Sequence, residues 1–423
     1  MRLSIVNGLV CDPVSGRQST EPLLIEDGQF VSRLSGPAET VIDAAGRDIW
    51  PGLTDAHCHL REPGQEYKED IASGTRSAAR GGFTTVACMP NTQPVCDNAS
   101  IVRSILERAA SAGSARVLPI GAVSRGQQGQ ELAEIGLMAE AGIVAVSDDG
   151  HPVEQADMMR KAMIYAHQFG LPVISHCEDM SLASGGQMND GVISARLGLP
   201  GIPDVAEAHM VARECLLAEY LKIPVHLAHI SCRASITLIR QAQERGVRVT
   251  AETCPHYFTL TEEACLGYNT MAKMNPPLRT ADDLAAVIDA LADGTIGIIA
   301  TDHAPHHMDE KQLEFALASN GIGGFETALP LGYTTLVRSG RMDLVSWLRT
   351  MTIAPARLFN RPFRGFEPGS PADLILVDTK TPWTFRADSM ASKARNTPYD
   401  GWQLYGQVML TMLEGRIVYE NIQ

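Results

Sequence analysis

Between residues 51 and 357, short apolar runs rich in Val, Ile and Ala alternate with longer amphipathic stretches. The runs are Thr84–Ala87, Val117–Ile120, Ile143–Val146, Pro172–Ser175, Val225–Ala228, Arg248–Ala251 and Ile296–Ala300. Helix-like segments lie between them, among them Ala99–Ala112, Ala156–Phe169, Ile202–Leu221, Cys232–Arg245 and Ala281–Ala292. Short buried strands in alternation with helices make parallel βαβ units. Seven or eight such units in ~300 residues predict an α/β fold of the (β/α)8 TIM-barrel kind. A doubly wound sheet is the rival, but no Gly-x-Gly-x-x-Gly or phosphate loop follows a strand.

The two ends have a different rhythm. Arg2–Val6, Pro22–Glu26 and Phe30–Leu34 are short apolar runs broken by Asp12-Pro13 and Asp27-Gly28, which predicts a meander of strands. Ala372–Val377, Gly406–Leu413 and Arg416–Tyr419 behave alike, the last two around the Glu414-Gly415 turn. The expected organisation is a barrel over 51–357 and one small composite β-sandwich domain built from 1–50 and 358–423.

Composition narrows the function. A formal charge of −14 argues against nucleic-acid and acidic membrane partners, which select basic patches. No apolar run approaches the ~20 residues of a membrane span, and the first ten residues read as a strand, not a leader. Nine cysteines are scattered without a CxxC pair. That pattern points to reduced thiols and a cytoplasmic protein, so the Asn98-Ala99-Ser100 sequon is a coincidence.

The sharpest chemical signal is His57-Cys58-His59. Residues two apart on a strand face the same way, so both imidazoles can grip one ion, and imidazole suits zinc. Asp148-Asp149, His176, His229 and Asp302 each follow an apolar run. They therefore belong to the C-terminal mouth of the barrel, where such folds keep their chemistry. Spacing does not choose between Asp148 and Asp149. His226, on the opposite parity, reads as packing; His167 and His209 fall in helices, His151 in a loop, and His303 and His307 in supporting positions.

These blocks occur in order with Arg61-Glu-Pro-Gly64, Met89-Pro90-Asn91-Thr92, Pro255-His256, Met274-Asn275-Pro276-Pro277, Thr301-Asp302-His303-Ala304-Pro305-His306 and Asn396-Thr397-Pro398. In this the chain resembles the amidohydrolase superfamily and, within it, the bacterial dihydroorotases. The resemblance implies a site for one or two Zn2+ ions, with His57, His59 and Asp302 on one, His176 and His229 on a second, and Asp149, not Asp148, between them. Many relatives bridge two zincs with a carboxylated lysine, but no lysine lies between Lys68 and Lys161. A native carboxylate must serve instead.

It further implies cyclisation of N-carbamoyl-L-aspartate to (S)-dihydroorotate, with Asp302 as the proton shuttle. Arg61, Asn91 and His306 would bind the substrate carboxylate beside His59, and Asn275 would meet the ring. Relatives place a Phe-Gly backbone pair against the ring; here Asn320-Gly321 stands in its place, within a glycine-rich loop 303–325 expected to be mobile. A homodimer and association with aspartate transcarbamoylase are the implied partners. Two other readings remain: an allantoinase or hydantoinase, and an inactive dihydroorotase-like scaffold for the transcarbamoylase.

Overall fold

The computed structural model describes residues 1–421. Eight parallel strands pair in sequence order: β1 (Leu53–Cys58), β2 (Phe83–Cys88), β3 (Arg116–Gly121), β4 (Ala145–Ser147), β5 (Val173–Ser175), β6 (Val225–Leu227), β7 (Val249–Thr253) and β8 (Ile298–Ile299). Helices fall between them close to where the amphipathic stretches predict, including Ala99–Ala112, Ala156–Gln168, Arg233–Glu244 and Ala281–Asp293. Their starts carry local signals: Asn98 accepts from Ser100 N and Ile101 N, and Thr280 with Asp283 makes a reciprocal capping box.

Two apolar layers follow from the strand pleat. Ala56, Ala87, Leu118, Ile120, Ile174, Ala228 and Ile298 form one buried cluster, the filling of the barrel. Strand residues of the other parity pack against helical Val102, Ile105, Ile239 and Leu291. The ring closes where β1 meets the end of β8. There Thr301 donates from N and Oγ1 to the buried Asp55 carboxylate, at 2.8 and 2.6 Å. His59 N donates to His303 O at 2.8 Å, beside a bridge between Cys58 and His303.

The chain ends build two further sheets. Leu374–Asp378 pairs with Asp48–Pro51, so N- and C-terminal strands share one six-stranded sheet; Arg2–Val6 belongs to a four-stranded sheet. Leu3, Ile5, Ile25, Phe30, Leu374 and Met412 fill the space between them. The N-terminal part is not a plain meander. Arg2–Val6 pairs in parallel with Thr40–Asp43, and Leu9–Asp12 with Asp48–Pro51. Sequence alternation shows strands but not partners, and parallel pairs are distant in sequence.

Candidate metal centre and active site

Every proposed ligand sits at a strand's C-terminal end: His57 and His59 on and just past β1, Asp149 after β4, His176 after β5, His229 after β6 and Asp302 after β8. His229 and Asp302, like Arg61 nearby, adopt positive φ (36°, 43° and 60°). For non-glycine residues this costs about 1–3 kcal/mol each and persists only where the surroundings enforce it.

Asp149 is the hub. Its Oδ1 lies 3.5 Å from His57 Nε2, 3.4 Å from His176 Nδ1 and 3.3 Å from His229 Nε2, and its Oδ2 is 3.5 Å from His59 Nε2. Asp302 Oδ1 is 3.0 Å from His59 Nε2 and 3.6 Å from His57 Nε2. The neighbour Asp148 turns away: its carboxylate accepts from Val123 N, Ser124 N and the Ser124 hydroxyl. The structure thus separates the two acids that spacing left equivalent.

The donor set fits a cation on its own geometry. His57 Nδ1 is held 2.7 Å from Glu252 Oε1, and this leaves Nε2 buried, without a hydrogen-bond partner and aimed at Asp149 and Asp302. His176 Nδ1 and His229 Nε2 face each other at 2.8 Å. In each of three groups, His57-His59-Asp149, Asp149-His176-His229 and Cys254-His256-Asp302, the donor atoms lie within 4.8 Å of one another. Burial opposes charge on the rings, yet Asp149 and Glu252 hold the His57 pKa well above its usual value. In His176, burial is likewise overcome by Asp149 and Glu178, which push it up to about 10. Such a concentration of carboxylate field around buried nitrogens is what a divalent metal neutralises.

A cavity of about 290 Å³ opens over this cluster. Arg61, Asn91, Asn275, His306, Asn320 and Gly321 all line it, so the residues expected to meet a substrate converge as well. His59 Nδ1 lies 2.8 Å from Asn91 Oδ1. Arg61 Nη2 donates toward His306 Nε2 at 3.2 Å, while His306 Nδ1 faces Glu310 Oε2 at 3.0 Å. Burial, then the nearby Arg61 and Lys68 cations, lower the His306 pKa to about 3, so its ring is neutral and can accept from Arg61. Asn275 Nδ2 donates to Glu178 Oε2 at 3.0 Å.

Two glycines let the rim close. A Cβ on Gly64 (φ +95°) would stand 1.8 Å from Gln93 O, and one on Gly321 (φ +135°) would meet Ala304 at 2.8 Å. The loop carrying Asn320 is not left free by its glycines: Asn396 Nδ2 donates to Gly321 O and Ala304 O, each at 3.0 Å. These contacts tie the loop at residues 304 and 321.

Sequence reasoning missed Glu252 and Glu178 as supports of the ligands. A lone acid inside the apolar run of β7 was the available signal for Glu252. His226 is buried as expected, but it also sets Nε2 3.1 Å from Glu252 Oε2 and so helps to fix the carboxylate that orients His57. His256 faces the same cavity, and burial lowers its pKa to about 4.

Comparison with known proteins agrees with this geometry. A Dihydro-orotase-like family pattern matches residues 46–235. The protein named Dihydroorotase from Syntrophotalea carbinolica is 52% identical over 423 residues, covering 99% of each chain. That from Acetivibrio thermocellus is 50% identical over 418 residues, covering 98% of each. Among solved structures, the L-hydantoinase (dihydropyrimidinase) from Arthrobacter aurescens superposes with a TM-score of 0.88 at 24% identity, over 99% of this chain and 96% of that one. The dihydropyrimidinase from Brevibacillus agri gives 0.83 at 22%, over 100% and 95%. At those identities the likeness speaks for the fold.

Proposed function

The chain belongs to the dihydroorotase family, and on that premise we propose that its cavity closes N-carbamoyl-L-aspartate to (S)-dihydroorotate and reopens it with water. The activity is that of a cyclic-amide hydrolase. Full-length relatives at 50–52% identity favour this over an allantoinase or hydantoinase. An inactive scaffold is disfavoured because every ligand position is filled. The observation that carries the reading is Asp149 ringed by four imidazoles, with Arg61 and His306 across the same cavity.

Metal dependence follows from the family and from the donor set; zinc is our specific proposal. His57, His59 and Asp302 would hold one ion, His176 and His229 a second, and Asp149 would lie between them. Zinc, when bound, brings the pKa of a coordinated water to about 7 and polarises the amide carbonyl. Asp302 then has the proton-transfer role. Burial raises its pKa, but His59 and His57 outweigh this and keep the carboxylate ionised. In ring opening, the oxygen of the attacking water bonds to the amide carbon and its proton passes to Asp302. The C–N bond breaks and Asp302 returns the proton to the leaving nitrogen. In ring closure the nitrogen attacks the carbon of the protonated side-chain carboxyl and gives up a proton to Asp302, which passes it to the departing hydroxyl as the C–O bond breaks and water leaves.

Arg61 offers a planar cationic fork to the substrate carboxylate, with neutral His306 and Asn91 beside it. Asn275 and the Asn320-Gly321 backbone would meet the ring. We also propose that 1–50 and 358–423 form one domain beside the 51–357 barrel, and that the protein is a cytoplasmic homodimer able to associate with aspartate transcarbamoylase. All nine cysteines are free and buried, which supports a reducing compartment. Among the described residues no helix is long and apolar enough to cross a membrane.

The deciding experiment is an ultraviolet assay of purified protein with dihydroorotate, allantoin and hydantoin, alongside metal analysis. Turnover of dihydroorotate alone, with zinc present, is expected. Preference for either other ring would overturn the substrate, and a different native metal would overturn zinc.

A further inference from the structure

Lys311 ends the short helix Met308–Lys311 and is completely buried, with 0% of its surface exposed. Its Nζ donates to Ser319 O at 2.7 Å, Gly321 O at 3.3 Å and Lys273 O at 3.4 Å. An ammonium has three donors and no acceptor, and all three are used on backbone carbonyls. The acceptors are not arbitrary. Two flank Asn320, and the third immediately precedes Met274-Asn275; both segments line the cavity. Gly321 N also donates to Lys273 O at 3.0 Å, so the two loops meet at this one cation.

Burying a cation without a counter-charge is costly unless its hydrogen bonds are complete. Here the neighbouring titratable groups are Lys273 and Cys265, and burial, then Lys273, push the Lys311 amine down to about 7. An apolar chain of equal length would fill the same space without that cost. It would leave Ser319 O without its donor, and it would leave Gly321 O and Lys273 O with one donor each, Asn396 Nδ2 and Gly321 N. Lys273 works on the same loop from the other side, donating to Ala318 O at 2.8 Å, Ala316 O at 3.2 Å and Gln187 Oε1 at 2.7 Å. The loop therefore turns the carbonyls of Ala316, Ala318, Ser319 and Gly321 onto two ammonium groups.

We propose that Lys311 is a positioning residue that fastens the 273–275 and 319–321 segments into one wall against the substrate ring. It touches no metal ligand, so its effect is confined to substrate binding. The proposal rests on reading that wall as the ring side of the site.

The test uses the metal-loaded full chain and two variants, Lys311→Met, which keeps length and loses every donor, and Lys311→Gln, which keeps an amide. The expected result is a KM for N-carbamoyl-L-aspartate raised roughly tenfold or more in Lys311→Met and less in Lys311→Gln. The kcat should change by less than about threefold, with metal content as in the unaltered protein. Hydrogen exchange over 270–275 and 316–323 should rise together in both variants. An unchanged KM, or a loss of activity that only tracks loss of metal, overturns the proposal. Should neither variant fold, exchange in the unaltered enzyme decides: saturating dihydroorotate should protect both segments in concert, and protection of one alone overturns the coupling. Failure of the functional reading is recognised separately, as absence of dihydroorotate turnover by the unaltered enzyme.

Discussion

The two sides of the cavity are built on different principles. The proposed metal side consists of side chains at the ends of five barrel strands, and their convergence is a consequence of strand register. The proposed substrate side consists of loops, and its geometry depends on side chains that tie loop groups in place, such as Asn396 on Gly321 O and Glu310 on the His306 ring. Register is shared by many hydrogen bonds and tolerates single losses; a loop tie is one contact. Damage on the metal side should therefore appear as lost metal and lost turnover together. Damage on the substrate side should appear in KM with metal retained.

The strongest way to break that distinction is His59→Ala. Activity should fall to background with reduced bound metal by atomic spectrometry; full metal content would place His59 outside the ligand set. Glu252→Gln comes next. It leaves His57 in place but weakens the contact that orients its ring, and metal affinity measured by chelator competition should drop roughly 10–100-fold. Arg61→Ala probes the other side: losing a charge-assisted fork costs on the order of 1.5–3 kcal/mol, read as a higher KM at constant metal. Parallel loss of metal there would erase the contrast. The smallest effect is Glu310→Gln, where His306 keeps a neutral partner. KM should rise about threefold, or ~0.7 kcal/mol, and an unaffected KM would show that the Glu310 contact does not position His306.

The metal side was more legible in the sequence than the substrate side, for the same physical reason. Apolar runs mark strands, strands mark one mouth of a barrel, and a His or Asp after a run is then placed to within a residue or two. That logic brought His57, His176, His229 and Asp302 together without any contact information. It could not separate Asp148 from Asp149, because neighbours of identical chemistry differ only in which way the turn presents them. Loop ties have no periodicity at all. Lys311 reads as one more surface lysine of a charged turn, and only its three carbonyl partners reveal otherwise. Likewise the pairings of Leu9–Asp12 and Thr40–Asp43 are not legible, since their parallel partners lie dozens of residues away.

The seam at Asp55 and Thr301 has a consequence for how the enzyme comes into being. His57 and His59 are made early and Asp302 about 240 residues later, and the join between the opening and closing strands is what brings them into register. The Asp149, His176 and His229 group, by contrast, is complete once residue 229 has been synthesised. A growing polypeptide thus acquires the parts of one proposed ion pocket well before the other, and no fragment ending short of residue 302 possesses the acid to which we assign the proton transfer.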